Sequence, residues 1–154
     1  MGKKYPGRVG SHLMSDFTLP RKVFSGSDMI LIPSKYEPGG IIAIEALRYG
    51  CIPIVRRTGG LADTVADFSA AVEEGTGFVF DEYDPWAFYG AVVRGAEAFR
   101  YPRVWGKLVK RAMSTDFSWK KSAEKYLDLY RRALQVRKES LQPNPSPASR
   151  PLYS

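Results

Sequence analysis

Residues 34–60, SKYEPGGIIAIEALRYGCIPIVRRTGG, restrict the possible folds of this chain more than any other stretch. The run before them, MILIPS, is continuously apolar and leads into a Pro-Gly-Gly turn. An apolar helix candidate follows, then a second strand candidate, CIPIV, then a second Gly-Gly turn. Strand, helix and strand in that order predict parallel pairing, since an antiparallel pair needs only a tight hairpin between its strands. Both glycine turns then fall at the carboxyl ends of strands, on the edge where open α/β sheets bind ligands.

The flanking sequence extends this unit. Val9 to Met14 is a short strand candidate, followed by a helix capped by Asp16 or Thr18, with Pro20 in its first turn and its end near Ser25. Met29 to Pro33 reads as a buried parallel strand, because MILI is apolar at every position rather than at alternate ones. Gly39 and Gly40 stand where the next helix begins, and Gly50 suits a left-handed cap after Tyr49. Cys51 to Val55 is the next strand, with Pro53 suggesting an edge position or an irregular start. A helical turn after Leu61, a fourth short strand over Gly77 to Phe80, and a helix opened by Asp84-Pro85 and running to Phe99 come next. Further helices are expected over Val104 to Met113 and from Ser118 to about Lys138. In the last of these, Trp119, Ala123, Tyr126, Tyr130 and Leu134 form one apolar stripe. The fold class is α/β, a partial Rossmann-like parallel sheet flanked by helices. It divides into a domain over residues 1–117, an amphipathic helix over 118–139 and a Pro/Ser-rich disordered tail over 140–154.

Several function classes are excluded by composition. The chain has 154 residues and a formal charge of +7. The charge is uneven: residues 61–100 carry two Lys/Arg against eight Asp/Glu, and residues 101–154 carry twelve against four. Most of the C-terminal basic residues fall on the polar sides of amphipathic helices, a solvated-face pattern that argues against nucleic-acid binding. The lone cysteine, Cys51, rules out an internal disulfide and a cysteine-rich metal site, and its strand-like setting marks it as a buried structural thiol. No window reads as a membrane span or a signal segment, and the expected location is cytoplasmic. His12 is the single histidine, with no second base, ligand or nucleophile near it in sequence, and reads as structural or incidental.

The chemistry sits around the two glycine turns. Amides of Gly39, Gly40 and Ile41 at a helix start suit a phosphate or a polyhydroxyl ligand. Glu37, just before the helix, can accept hydrogen bonds from sugar hydroxyls. Arg56 and Arg57 add positive charge near an anion. Glu45 is the one carboxylate on an otherwise apolar helix and needs a partner. That partner is either a ligand hydroxyl or an ion pair with Arg48 or another Arg/Lys. Neither a GxGxxG dinucleotide fingerprint after a strand nor a GxxxxGK[ST] P-loop occurs.

Through YPGRVG, ILIPSKYEPGGIIAIEALRYGCIPIVRRTGGLADTV, GTGFVF and FSWKKSAEKYLDLY the chain resembles the glycogen and starch synthases. These are retaining glycosyltransferases with two Rossmann-like domains. The likeness covers roughly residues 5–134, within the C-terminal part of the donor-binding domain. It implies transfer of glucose from ADP-glucose or UDP-glucose to the end of an α-1,4-glucan, with retention, no bound cofactor and no metal. By the same resemblance Glu37 contacts the donor glucose as the catalytic-site carboxylate. Pro38 and the amides of Gly39, Gly40 and Ile41 face glucose and the distal phosphate, Glu45 holds the ribose, and Thr58, Gly59 and Gly60 line the diphosphate side.

Two departures stand out: Gly39 occupies a position often held by Cys or Phe, and the Glu37/Glu45 pair is closer to archaeal members and to the wider sugar-nucleotide transferases. The family's basic pair for the diphosphate and its donor-facing histidine have no counterpart in these residues. The expectation is therefore a donor-site portion of a synthase, inactive alone, that meets its glucan acceptor through an N-terminal domain or a complementing half-protein. A non-catalytic sugar-nucleotide or partner-binding module, and another retaining transferase of the same superfamily, are the alternatives. In a sheet of order 3-2-1-4-5-6, Val9–Met14 corresponds to strand 3 and Met29–Pro33 to strand 4. The first of these is then expected to lack its native neighbour.

Overall fold

The computed structural model describes residues 4–12 and 18–141. Its elements in chain order are α1 (Leu19–Gly26), β1 (Met29–Ile32), α2 (Ile41–Tyr49), β2 (Ile52–Arg56), α3 (Gly60–Thr64), β3 (Phe78–Phe80), α4 (Pro85–Phe99), α5 (Pro102–Ser114) and α6 (Trp119–Leu141). The chain divides into two compact units, Met1–Thr115 and Asp116–Ser154.

The first unit is built on a parallel sheet of order β1-β2-β3. Met29 lies opposite Ile52 and Ile32 opposite Val55, while Ile54 pairs with Phe78 and Arg56 with Phe80. The strand ends therefore line up at one edge. Side chains alternate across the sheet, as strand geometry requires. Ile52 and Ile54 pack with Phe68, Phe78, Trp105 and Leu108 in one core cluster. Val55 joins Ile32, Ala43, Leu61 and Val79 in another. The expected caps hold: the Asp84 carboxylate accepts from the Trp86 and Ala87 amides at 2.7 and 3.0 Å, with Pro85 beginning α4. Gly50 ends α2 in the left-handed region at φ 77°.

Four expectations need correction. Residues 9–12 form no strand and pair with none, and residues 13 and 14 lie outside the described residues. Among the described residues the sheet therefore has three strands rather than four. β1 pairs in parallel as expected, yet Leu31 is half exposed on this outer strand, where α4 reaches only Met29. The helix α2 buries Ala43, Ala46 and Leu47 only, and its apolar residues Ile41 and Ile42 face outward, so it is not packed on all sides.

The fourth correction concerns Pro53, which lies in the central strand rather than at an edge. The Ile52 amide donates to the Asp28 carbonyl at 2.9 Å, on the β1 side. In a strand the next residue points its backbone the other way. Pro53 therefore faces β3, which begins only at Phe78, opposite Ile54. The missing N–H costs no ladder bond.

In the second unit, α6 runs from Trp119 to Leu141 and buries none of its residues. Its Tyr126 and Tyr130 rings lie 6.3 Å apart, one turn from each other. Tail residues 142–154 lie outside the described residues.

Candidate functional site

The two glycine turns meet at the carboxyl edge of the sheet. The Gly60 amide donates to the Glu37 carbonyl at 2.9 Å, which joins the loop after β1 to the loop after β2. The contact is so close that a side chain fits at neither turn. A Cβ on Gly60 would overlap the Gly39 backbone, and one on Gly59 would overlap the Glu37 carbonyl. A Cβ on Gly40 would sit 2.9 Å from the Gly60 carbonyl carbon. Gly40 and Gly59 also need positive φ, at 63° and 47°. These glycines are required by the contact between the two loops, whatever binds beside them.

Gly40 precedes the first residue of α2, and its carbonyl accepts from the Ala43 and Ile44 amides at 3.0 and 3.2 Å. The Ile41 amide has no backbone acceptor among the described residues, the ordinary condition of a helix start. Gly39, Pro38 and Ile41 are exposed, whereas Gly40 is buried. Glu37 is half-buried, and among the described residues its carboxylate has neither a hydrogen-bond nor an ion-pair partner. Thr58 is half-buried, and its carbonyl accepts from Leu61 at 3.1 Å. Thr64 completes the second turn by donating its hydroxyl to the Gly60 carbonyl at 2.8 Å.

Glu37 to Ile41 and Thr58 to Gly60 are thereby brought together. Glu45 stands apart, one helical turn beyond Ile41 on the same side of α2. Its carboxylate lies 3.4 Å from an Nη of Arg21 on α1, in an exposed ion pair. The partner is neither Arg48 nor a residue of the two loops.

The basic pair also has a different role from the one its sequence position suggests. The Arg56 guanidinium donates from Nε to the Ser34 carbonyl at 3.0 Å, from Nη2 to the Lys35 carbonyl, and from Nη1 to the Asp81 carbonyl at 3.4 Å. Arg57 Nε pairs with the Asp81 carboxylate at 2.6 Å. Both guanidiniums hold the strand-end loops. Beside them Pro33, Phe80, Tyr83, Asp84, Pro85 and Phe88 line an apolar recess of about 330 Å³. Sequence reasoning missed this recess, whose lining comes from two separate strand ends and a helix start. Cys51 is fully buried, and burial, assisted by the Asp28 charge, pushes its thiol up to about 11. That excludes it as a nucleophile near neutral pH. His12 is exposed and away from these loops in sequence. No group of three or more His, Cys, Asp or Glu side chains among the described residues could hold a metal. No described helix is long and apolar enough to cross a membrane.

A parallel α/β layer whose strand-end loops interlock through glycines, ahead of a free helix start, defines a partial Rossmann-like domain. The model of the family described as glycosyl transferases group 1 matches residues 13–94. The chain belongs to that family, and within it to the glycogen/starch synthases. It is 47% identical over 131 residues to glycogen synthase 1 of Synechocystis sp., covering 85% of this chain and 28% of that protein. Glycogen synthase of Desulforudis audaxviator is 46% identical over 136 residues, covering 88% of this chain and 27% of that one. Among solved structures, the catalytic domain of starch synthase IV from Arabidopsis thaliana, bound to ADP and acarbose, superposes with a TM-score of 0.71 at 38% identity. That match covers 80% of this chain and 26% of that one. Sucrose-phosphate synthase from Thermosynechococcus elongatus gives 0.51 at 31% identity, over 73% of this chain and 27% of the other. The chain thus spans little more than a quarter of the length of the curated relatives it matches.

Proposed function

We propose that these residues form the donor-side wall of a glycosyl transferase that moves glucose from ADP-glucose or UDP-glucose to the end of an α-1,4-glucan with retention. The observation that carries this reading is the Glu37 carboxylate, left without a partner on a loop whose backbone is pinned by Gly60. A pinned acceptor costs little reorganisation when it takes hydrogen bonds from sugar hydroxyls, which is how orientation lowers a transfer barrier. The Ile41 amide and the positive end of α2 suit the distal phosphate. Thr58 adds a hydroxyl on the diphosphate side, and Glu45 exchanges its exposed pairing with Arg21 for ribose hydroxyls. The ADP and acarbose held by the Arabidopsis relative support the same ligand classes here. The glucan acceptor meets this wall from outside these residues, on an N-terminal domain or a complementing chain.

The experiment is equilibrium binding of ADP-glucose and UDP-glucose to the chain, with Glu37→Ala as the variant. Saturable binding of one donor, weakened at least about tenfold in the variant with an unchanged melting temperature, is expected for the loss of a charged acceptor. Equal affinity in the two proteins would remove Glu37 from the site.

A further inference from the structure

We infer that Arg56 is a positioning residue, which sets the direction of Glu37 by holding the carbonyls of Ser34 and Lys35. This rests on the reading of Glu37 as a donor contact. The guanidinium leaves the end of β2 and reaches the loops after both neighbouring strands, taking Ser34, Lys35 and Asp81 as acceptors. The Tyr83 ring packs against it at 5.6 Å from Cζ. Arg57, through its 2.6 Å pair with the Asp81 carboxylate, fixes the third corner. The short segment from Ser34 to Glu37 is thus held at both ends, by Arg56 at the start and by the Gly60 amide at the end. The Glu37 side chain is left without a partner, and its base is fixed.

The positive charge of Arg56 is spent on three carbonyl dipoles and is not offered to a phosphate. Only a planar fork of donors can serve acceptors on two separate loops at once; an ammonium presents its donors from a single point. Arg56→Lys therefore distinguishes the two roles. A simple attracting charge survives that change, and the clamp does not.

The test uses the full 154-residue chain with Arg56→Lys and Arg56→Met, read by site-resolved amide exchange and by titration with ADP-glucose and UDP-glucose. Both variants are expected to speed exchange of the Gly60 amide at least about tenfold, a local opening, while the Ile52 amide in β2 keeps its protection. Donor affinity falls about tenfold in R56K, and in an E37A background the same change costs no more than about twofold, because both act through one contact. In a third variant, Arg56→Ala, added ethylguanidinium restores protection of Gly60, and ethylammonium does not. Wild-type exchange and affinity in R56K would overturn the inference, as would an equal affinity loss with and without Glu37. If the unmodified chain binds neither donor, the proposed function falls instead. Arg56 is then judged on Gly60 exchange in R56K alone.

Discussion

The Gly60 amide donates to the Glu37 carbonyl at 2.9 Å, and this single bond joins two loops that are twenty-three residues apart in sequence. It explains Gly40, Gly59 and Gly60, whereas a Cβ on Gly39 would meet only the Ile41 side chain at ordinary distance. The Gly39 and Gly60 backbones are in contact, so neither loop can shift without the other.

Substitution at Gly60 follows directly. Gly60→Ala drives a methyl into the Gly39 backbone, which has no side-chain freedom to give way, and is expected to destabilise the chain by about 1 to 3 kcal/mol. Gly106, inside α5, has open space where its Cβ would be. Gly106→Ala is expected to stabilise by about 0.5 to 1 kcal/mol, since it removes only unfolded-state freedom. Urea unfolding of the two variants should move the midpoint in opposite directions. A neutral Gly60→Ala would show that the two loops separate readily.

Glu45 is the subject of the second expectation. Its pair with Arg21 has side chains 37% and 55% exposed, so solvent screens it to about 0 to 1 kcal/mol. Glu45→Gln should leave the melting temperature within about 2 °C, a shift matching about 0.5 to 1 kcal/mol for a chain of this size. Affinity for ADP or UDP is expected to fall about tenfold, as for a charged acceptor lost from ribose hydroxyls. Unchanged affinity by calorimetry would leave Glu45 as a surface ion-pair partner and nothing more.

These two carboxylates also mark how far the sequence alone could be read. The β-α-β unit and the Asp84 cap were legible because local signals settle them: MILI, CIPIV, paired glycines, Asp-Pro. The partner of Glu45 was not, since Arg21 comes from a helix twenty-four positions away. Arg56 and Arg57 read as free positive charge because a sequence does not display the carbonyls that two separate loops bring to one place. Pro53 read as marking an edge or an irregular start, and which of the two depends on register: β2 is central, and β3 begins one position too late to need its N–H. Exposure of Ile41 and Ile42 was hidden by apolar character, which records what a surface can bury and not whether anything covers it. Residues 9–12 of the expected Val9–Met14 strand form none, since Gly10 and Ser11 supply little side chain to pack on a pleated surface.

A third expectation is a dependence on alkaline pH. Burial raises the Cys51 thiol from 9.0 to about 11 in the folded chain, with Asp28 adding to the effect. Between those values the unfolded chain releases the proton and the folded chain keeps it, so stability is complete below pH 9 and falls as pH rises towards 11. Two pH units correspond to about 2.7 kcal/mol at most. Comparing unfolding free energies of the wild-type chain and Cys51→Ala from pH 8 to 11 isolates this contribution from the tyrosines and lysines. The difference between the two proteins should shrink with rising pH. Parallel curves would mean that the thiol ionises without penalty.

The last expectation concerns α6. Trp119 is 85% exposed, and Tyr126, Tyr130 and Leu134 are each more than half exposed. With Ala123 between the first two and the exposed Leu127 beside Tyr126, they recur at three- and four-residue intervals on a helix of 23 residues, roughly 34 Å long, so their apolar atoms form one continuous stripe. Exposed apolar surface of this extent is unusual on a monomer in water and marks a contact face. The chain is therefore expected to self-associate through residues 119–141 when nothing else covers them. In sedimentation velocity the weight-average mass should rise with concentration. Leu127→Lys with Leu134→Lys places two charges on the stripe while keeping good helix formers, so helicity by circular dichroism should persist as association is lost. Monomeric behaviour of the wild-type chain at the highest concentration would show that the stripe is too weak to hold two copies together. Association unchanged by the double lysine variant would move the contact face elsewhere on the chain.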